Sequence, residues 1–210
     1  QSTGMKRSAL AGKGIKEAMR GHTLGMLTTN LFYATDMVDR LEKVILPALR
    51  AGFVVLTDRY IYSIIARAMV RGVDPAWIRD VFGFALVPDV VLYLHADLPH
   101  LIPRVLNARG FDYWESGMDF LPHRDYYEAF VEYQSRLLAQ FDALSEAYNF
   151  RPIDATCSIR EVFQDLKAEI EQVLVDMKPV APAIAEMELA EAKAESRAGI
   201  WVEAQQQGSS

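Results

Sequence analysis

Asp58-Arg59-Tyr60 is where this sequence first offers chemistry. The triplet follows an apolar run, Phe53-Val54-Val55-Leu56-Thr57, and precedes an apolar-periodic stretch from Ile61 to Val70. That order reads as a buried strand, a ligand-facing turn and a helix leaving the site. In open α/β sheets, ligands gather at the carboxyl ends of the strands. An arginine there presents a planar donor fork that matches a phosphate. The aspartate beside it can orient that fork or hold a water of Mg²⁺. A strand-end salt bridge that binds nothing is an equally open reading of the triplet alone.

The flanking pattern supplies elements to position it. Leu27, Leu31, Ala34, Val38, Leu41, Val44, Ile45 and Leu49 recur at spacings of three and four, which predicts a helix over 23–50. Thr23 is its expected cap, Gly52 its expected stop, and Pro47 a kink in its last turn. Residues 5–20, with Leu10, Ile15 and Met19, predict a weaker helix. After the strand at 53–57 come a helix over 60–71 and a turn at Gly72-Val73-Asp74-Pro75. A second helix over 75–85 then starts on Asp74 and Pro75. Strand 90–94 is continuously apolar, as a strand covered on both faces should be. Helix 98–108 follows, then a glycine-punctuated, acidic and aromatic loop over 109–122. A long amphipathic helix over 123–148, a short strand at 150–153 and a helix over 159–177 complete the pattern. Strands alternating with helices predict a parallel sheet wound by crossovers.

Composition narrows the function. A chain of 210 residues, 51% hydrophobic and 24% charged, has room for one full core. The net charge of −6, without a Lys/Arg-rich block, argues against binding a nucleic-acid polymer. A local arginine cluster can still hold a small anion. The single Cys157 leaves no internal disulfide and suits a reducing cytoplasm. His22, His95, His100 and His123 lack metal-ligand spacing. No apolar stretch reaches the ~18–20 residues that span a bilayer. Lys178-Pro179-Val180-Ala181-Pro182 reads as a linker, giving a domain over 1–178 and a Pro/Ala/Glu-rich tail over 179–210, partly helical or disordered.

Three further runs bear on family. They are Glu42-Lys43-Val44-Ile45-Leu46-Pro47-Ala48-Leu49-Arg50-Ala51-Gly52, then Phe84-Ala85-Leu86-Val87-Pro88-Asp89-Val90-Val91-Leu92-Tyr93-Leu94, then Pro152-Ile153-Asp154-Ala155-Thr156-Cys157-Ser158-Ile159-Arg160-Glu161-Val162. With Asp58-Arg59-Tyr60, in this order and spacing, the chain from about Thr3 to about Leu174 resembles the thymidylate kinase family of P-loop nucleoside monophosphate kinases. The resemblance implies an α/β, three-layer P-loop kinase fold, with a parallel sheet flanked by helices. It implies ATP-dependent phosphorylation of a nucleoside monophosphate, with dTMP the leading acceptor, and ATP and Mg²⁺ as cofactors. Its partners would be small-molecule nucleotides and a second copy of the chain, in the cytoplasm, without nucleic acid or membrane.

The phosphate-cradling Gly-x₄-Gly-Lys-Ser/Thr of such kinases does not occur here. Gly12-Lys13-Gly14 is the nearest run, with Arg7 at the frame's first glycine and Gly14 at its Ser/Thr position, so Gly12 and Gly14 are expected to mark an imperfect helix or a turn. Under the resemblance, Gln1-Ser2-Thr3-Gly4 falls just after the loop that ends the family's second strand. The expectation is therefore a fold lacking its amino-terminal βα unit, ~45–60 residues, with a split sheet and an open edge.

The resemblance also assigns residues. Arg59 matches the acceptor-phosphate arginine and Asp58 its acidic neighbour; Tyr60 and Ser63 join the substrate-binding set. Tyr33, and less well Phe32, match the aromatic that stacks on the base. Asp36 matches an acid near this site. Met37 stands where many members carry a base-reading arginine, and Arg40, nearly one turn on, is a partial substitute. Arg67 stands where many carry a tyrosine below the deoxyribose. Those two departures leave the acceptor base open. Loop 109–122 matches the lid, with Arg109 and then Arg104 as candidates to meet the transferring phosphoryl group, and Trp114 as a cap on the closed lid. Asp154, Ala155 and Thr156 match the loop that borders adenine, and Ser158 is the expected cap of the next helix. A non-catalytic, kinase-like binding or regulatory module, docked through the tail, remains the alternative.

Overall fold

A computed structural model describes residues 2–9 and 11–176, of which 2–173 lie in one compact unit. The expected linker and tail lie outside the described residues. Ser2–Gly4 forms β1, which pairs in parallel with β2, Leu56–Asp58, so that Gly4 lies opposite Asp58. Those residues were expected just past a strand and its loop; they are the strand itself.

After a turn at Met5–Ser8 comes α1, Ala11–Gly21. Gly12 and Gly14 sit inside this helix, the first of the two readings expected of them, and not in a turn. Gly12 has a packing role: a Cβ there would lie 2.6 Å from the Lys6 carbonyl oxygen. Only a glycine lets α1 rest against that loop. The next helix, α2, spans Met26–Arg40 and starts on Gly25. Thr23 is not its cap, because the Thr23 N–H still closes onto the Ala18 carbonyl of α1. A π-helical turn, Leu41–Ile45, joins α2 to α3, Leu46–Arg50. The Leu46 N–H reaches back to Leu41, one residue further than in an α-helix, just before Pro47 removes a donor. Gly52, at φ 78°, then turns the chain.

Helix α4, Ile61–Val70, leaves β2 and occupies the centre of the packing. Ile64, Ile65 and Ala68 on one side pack with Ala34, Met37, Leu41 and Ile45, and with Ile78 and Phe82. Tyr62 and Ala66 on the other side pack with Tyr133, Leu137, Leu144 and Phe150. A 10-residue helix with apolar residues around its circumference can be covered by helices on both sides. The coverings are α2 with α5, Pro75–Val81, and the long α7, Tyr126–Ala147. Asp74 caps α5 through the Trp77 N–H at 2.7 Å, as its position before Pro75 predicts.

Strand β3, Leu92–His95, leads to α6, Leu98–Ala108, and pairs in parallel with β4, Arg151–Asp154, which leads to α8, Ile159–Asp176. The fold is thus α/β with parallel strands, and its sheet is split into two pairs, β1-β2 and β3-β4. The approach to β2 is not buried, contrary to expectation: Phe53 is 61% exposed and Leu56 53%. On β3, Leu94 is 49% exposed. Among the described residues each of these strands has one partner, so its other edge and much of its apolar surface stay uncovered.

Candidate functional site

Three segments converge at the end of β2. Asp58 closes that strand, and Arg59 adopts φ 64°, a left-handed conformation uncommon outside glycine. This turns the Arg59 side chain into a cavity of about 790 Å³ and lets Tyr60 cap α4 with extended backbone. Tyr33 and Asn30 approach from α2, Ile64, Arg67 and Ala68 from α4, and Lys6 with Met5 from the β1–α1 loop. The loop at 109–122 closes over the opening with Arg109, Asp112, Trp114 and Asp119.

The loop is held shut by specific bonds. Trp114 donates its indole N–H to the Met19 carbonyl at 3.3 Å and stacks on His22, with centroids 5.2 Å apart. Arg71, at the carboxyl end of α4, donates to both oxygens of Asp119 at 2.7 and 3.0 Å, to the Tyr133 hydroxyl at 2.6 Å and to the Trp114 carbonyl at 3.1 Å. The Asp119 carboxylate and the Tyr133 hydroxyl outweigh the cost of burial and hold Arg71 above the usual arginine pKa. Gly117 sits at the loop's root with φ 68°, where a Cβ would lie 2.6 Å from the Phe120 ring. Arg109 is engaged within the loop by both Glu115 oxygens at 2.5 Å.

The cavity gathers cations, Lys6, Arg59, Arg67, Arg71 and Arg109, together with the carboxylates of Asp58, Asp112, Glu115 and Asp119. Burial, then Arg67, hold Arg59 below its ordinary pKa, while Asp58 acts the other way. Burial, then Arg67 and Arg59, hold Lys6 below the usual lysine value. Burial raises the Tyr33 phenol, so its ring meets the cavity as a neutral aromatic. An aromatic face, a group of donors and a closing loop suit a flat ring that carries a phosphate.

A profile of the family described as thymidylate kinase matches residues 6–166. This chain belongs to the thymidylate kinase family. It is 37% identical over 155 residues to a protein of Saccharolobus solfataricus named Probable thymidylate kinase 2, covering 73% of each chain. It is 30% identical to a protein of Thermococcus gammatolerans named Probable thymidylate kinase, over 69% of this chain and 64% of that one. A Pyrococcus abyssi protein of the same name is also 30% identical, over 70% of this chain and 66% of its own. The match therefore spans a little under two thirds of the length of the last two relatives.

Membership in the family gives the cavity its frame, and the structure sorts the expected site residues against it. Tyr33, Asp58, Arg59, Arg67 and Arg109 all line the cavity. Phe32 does not; its ring packs toward Gly14 of α1. Met37, fully buried, belongs to the helical core and is not in a position to read a base. Arg40 is also buried and donates to Asp36 and to the Met37 thioether, so it does not substitute in the cavity. Asp36 spends its carboxylate on the chain: it accepts from the Lys6 N–H at 3.0 Å, the Ser8 N–H at 2.9 Å and Arg40 Nε at 3.2 Å. Tyr60 donates its hydroxyl to the Leu86 carbonyl, and Ser63 donates to the Tyr60 carbonyl.

Arg104 does not line the cavity. It donates to the carbonyls of Ala155 at 2.5 Å and Thr156 at 3.1 Å, tying α6 to the loop after β4. Asp154 closes that loop by accepting from the Thr156 N–H and hydroxyl, which hold its pKa below the usual carboxylate value. Ser158 caps α8 in a reciprocal pair with Glu161.

Sequence reasoning missed Lys6, Asn30, Arg71 and Asp119. Arg71 before Gly72 was legible as a helix end, but its bonds to a loop 48 residues away were not. Among the described residues no group of three His, Cys, Asp or Glu could hold a metal, and no helix is long and apolar enough to cross a membrane.

Proposed function

We propose that this chain provides the acceptor site of an ATP-dependent kinase that converts dTMP to dTDP. The carrying observation is the cavity at the end of β2, lined by Tyr33, Arg59 and Arg67, in a member of the thymidylate kinase family. In this reading Tyr33 stacks on the base, and Arg59 receives the acceptor phosphate through its donor fork. Asp58 orders Arg59 or a water of Mg²⁺. The loop at 109–122 excludes water, which strengthens each charge interaction beneath it. Arg109 leaves Glu115 to meet the charge that develops on the transferring group, which makes Glu115 its parking site. Ala155 and Thr156, held by Arg104, border the adenine of ATP. Phosphoryl transfer needs positioning and charge neutralisation, and these residues supply both on the acceptor side.

Mg²⁺ keeps several waters and is commonly held by one or two carboxylates and the substrate's phosphates. The single Asp58 carboxylate fits that mode; bound Mg²⁺ would neutralise the donor phosphates. The 210 residues contain no Gly-x₄-Gly-Lys-Ser/Thr, so none is assigned to cradle those phosphates. The setting proposed is a cytoplasmic homodimer that supplies dTDP for dTTP synthesis, with exposed Leu27 and Leu31 of α2 on its interface.

Arg67 in the cavity motivates a second acceptor reading, because a guanidinium there can donate to a ribose hydroxyl. The test is ADP formation from ATP and Mg²⁺ with dTMP, dUMP, UMP, CMP, AMP and GMP in turn. dTMP is expected to give the highest kcat/KM. A ribonucleotide in first place moves the reading to another acceptor. No ADP and no bound monophosphate would sink the kinase reading and leave the binding-module alternative.

A further inference from the structure

The loop at 109–122 is anchored unevenly. Its amino half leans largely on itself: the exposed Arg109 pairs with Glu115, and the Asp112 carboxylate accepts from the Trp114 and Glu115 N–H groups. Two neutral bonds link that half to helices, from the Trp114 indole to the Met19 carbonyl and from the Gln134 amide of α7 to the Glu115 carbonyl at 2.8 Å.

The carboxyl half is held by a charge. Arg71 sends Nε and Nη2 to the two Asp119 oxygens, and Nη2 also to the Trp114 carbonyl. Its Nη1 serves the Tyr133 hydroxyl of α7 and, at 3.3 Å, the Arg67 carbonyl of α4. The guanidinium also lies over the Phe120 and Tyr133 rings, 5.5 and 4.7 Å from their centroids. A lysine, with three donors and no plane to stack, could not serve this set at once. Arg71 and Asp119 are both largely buried, where an ion pair is little screened.

The anchor is continuous with the acceptor site. Arg71 directly follows α4, and Arg59 stands two residues before its first turn. One helix, roughly 15 Å long, therefore carries Arg59 at one end and the loop's anchor at the other.

We propose that Arg71 is a positioning residue of the acceptor site. It acts through Asp119 and the Trp114 carbonyl, and ties the loop to the acceptor helix before any nucleotide arrives. A loop already ordered in this way costs less to close over a ligand, so the clamp contributes to acceptor affinity. This deepens the acceptor reading above and rests on it. A rival role would be to mask the Asp119 charge in the wall of an anion site, and Asp119→Asn separates the two.

The test combines hydrogen exchange of the nucleotide-free protein with calorimetric titration by dTMP, on the wild type, Arg71→Met, Arg71→Lys and Asp119→Asn. The Ser116, Met118, Phe120 and Leu121 amides are bonded within the loop, and the Ile78 and Phe82 amides within and just after α5. Arg71→Met is expected to speed exchange of the loop set roughly tenfold or more and to leave the α5 set protected, a local opening. It should weaken dTMP binding roughly tenfold or more, the range for lost hydrogen bonds to a charged group, with Arg71→Lys recovering only part. Asp119→Asn should loosen the loop and weaken dTMP binding in the same direction, and it carries the test if Arg71→Met loses protection throughout. Unchanged or tighter dTMP binding in Asp119→Asn would overturn the proposal, as would a loosened loop with wild-type dTMP affinity in Arg71→Met, or wild-type exchange there. These failures leave the acceptor reading standing, since the wild type still binds dTMP. A wild type that binds no dTMP sinks the acceptor reading and the proposal with it.

Discussion

Among the described residues, the helical half of the molecule and its strand half differ in how much of their apolar surface is covered. Around α4, Met37, Ala66, Ile78 and Phe82 are at most 2% exposed, and the cavity beside them is closed by a bonded loop. Around β2 and β3, Phe53, Leu56 and Leu94 are about half exposed or more, at 61%, 53% and 49%. The acceptor cavity draws mostly on the first half, and the second supplies the turn at Asp58-Arg59 and the Met5-Lys6 loop after β1. Among the described residues, helix packing supplies most of the apolar burial beside the acceptor cavity.

The largest expected effect tests that contrast. Phe82→Ala should cost ~3–5 kcal/mol, the range for an emptied aromatic core site. Phe53→Ala should change stability by no more than ~0.5 kcal/mol, as exposed positions do. Urea melts of the two variants measure both, and equal losses would erase the distinction between the halves.

Arg59→Met comes next, with an expected fall in kcat/KM of about 10²–10³, comparable to removing a preorganised donor from an active site. A stability change well under ~1 kcal/mol should accompany it, since among the described residues the Arg59 side chain makes no ion pair or hydrogen bond whose loss would matter. Arg104→Ala addresses the strand half. Freeing the Ala155 and Thr156 carbonyls should raise the KM for ATP roughly tenfold, about one to two neutral-acceptor hydrogen bonds, with dTMP affinity unchanged. A loss of dTMP affinity instead would place Arg104 in the acceptor half.

The smallest effect is a titration that reads both halves at once. Burial, then Tyr62, push the Tyr60 phenol up to about 12, and burial, then the Asp142 carboxylate, do the same for Tyr93. Both folded values lie above the unfolded value of ~10, so their stabilising contribution is complete below pH ~10 and is lost as pH rises toward 12. Absorbance of the phenolate should show late-titrating tyrosines, and Tyr60→Phe should remove one of them while stability falls less steeply above pH 10.

Local signals in the sequence were read well where the chain decides locally. The α6 span and the Asp74 cap on α5 follow from periodicity and proline. The start of α2 was misplaced because Thr23 looks like a cap, whereas its N–H belongs to the end of α1. The strand before Asp58 was misjudged as buried because apolar runs report a preference for cover, and β2 has one neighbour. Arg59, Tyr33 and Arg67 were legible through the family's spacing. Lys6 was not, since it reaches the cavity only because Asp36, 30 residues on, grips its backbone. Met37 and Arg40 share a helix with Tyr33, and helical spacing alone did not tell which face meets the core.

A crystal structure of the protein with dTMP tests the central claim most directly. The acceptor reading predicts the phosphate within hydrogen-bond distance of Arg59, and the thymine ring against Tyr33 beneath the loop at 109–122. A nucleotide bound outside this cavity, or inside it with the phosphate turned away from Arg59, would contradict the account.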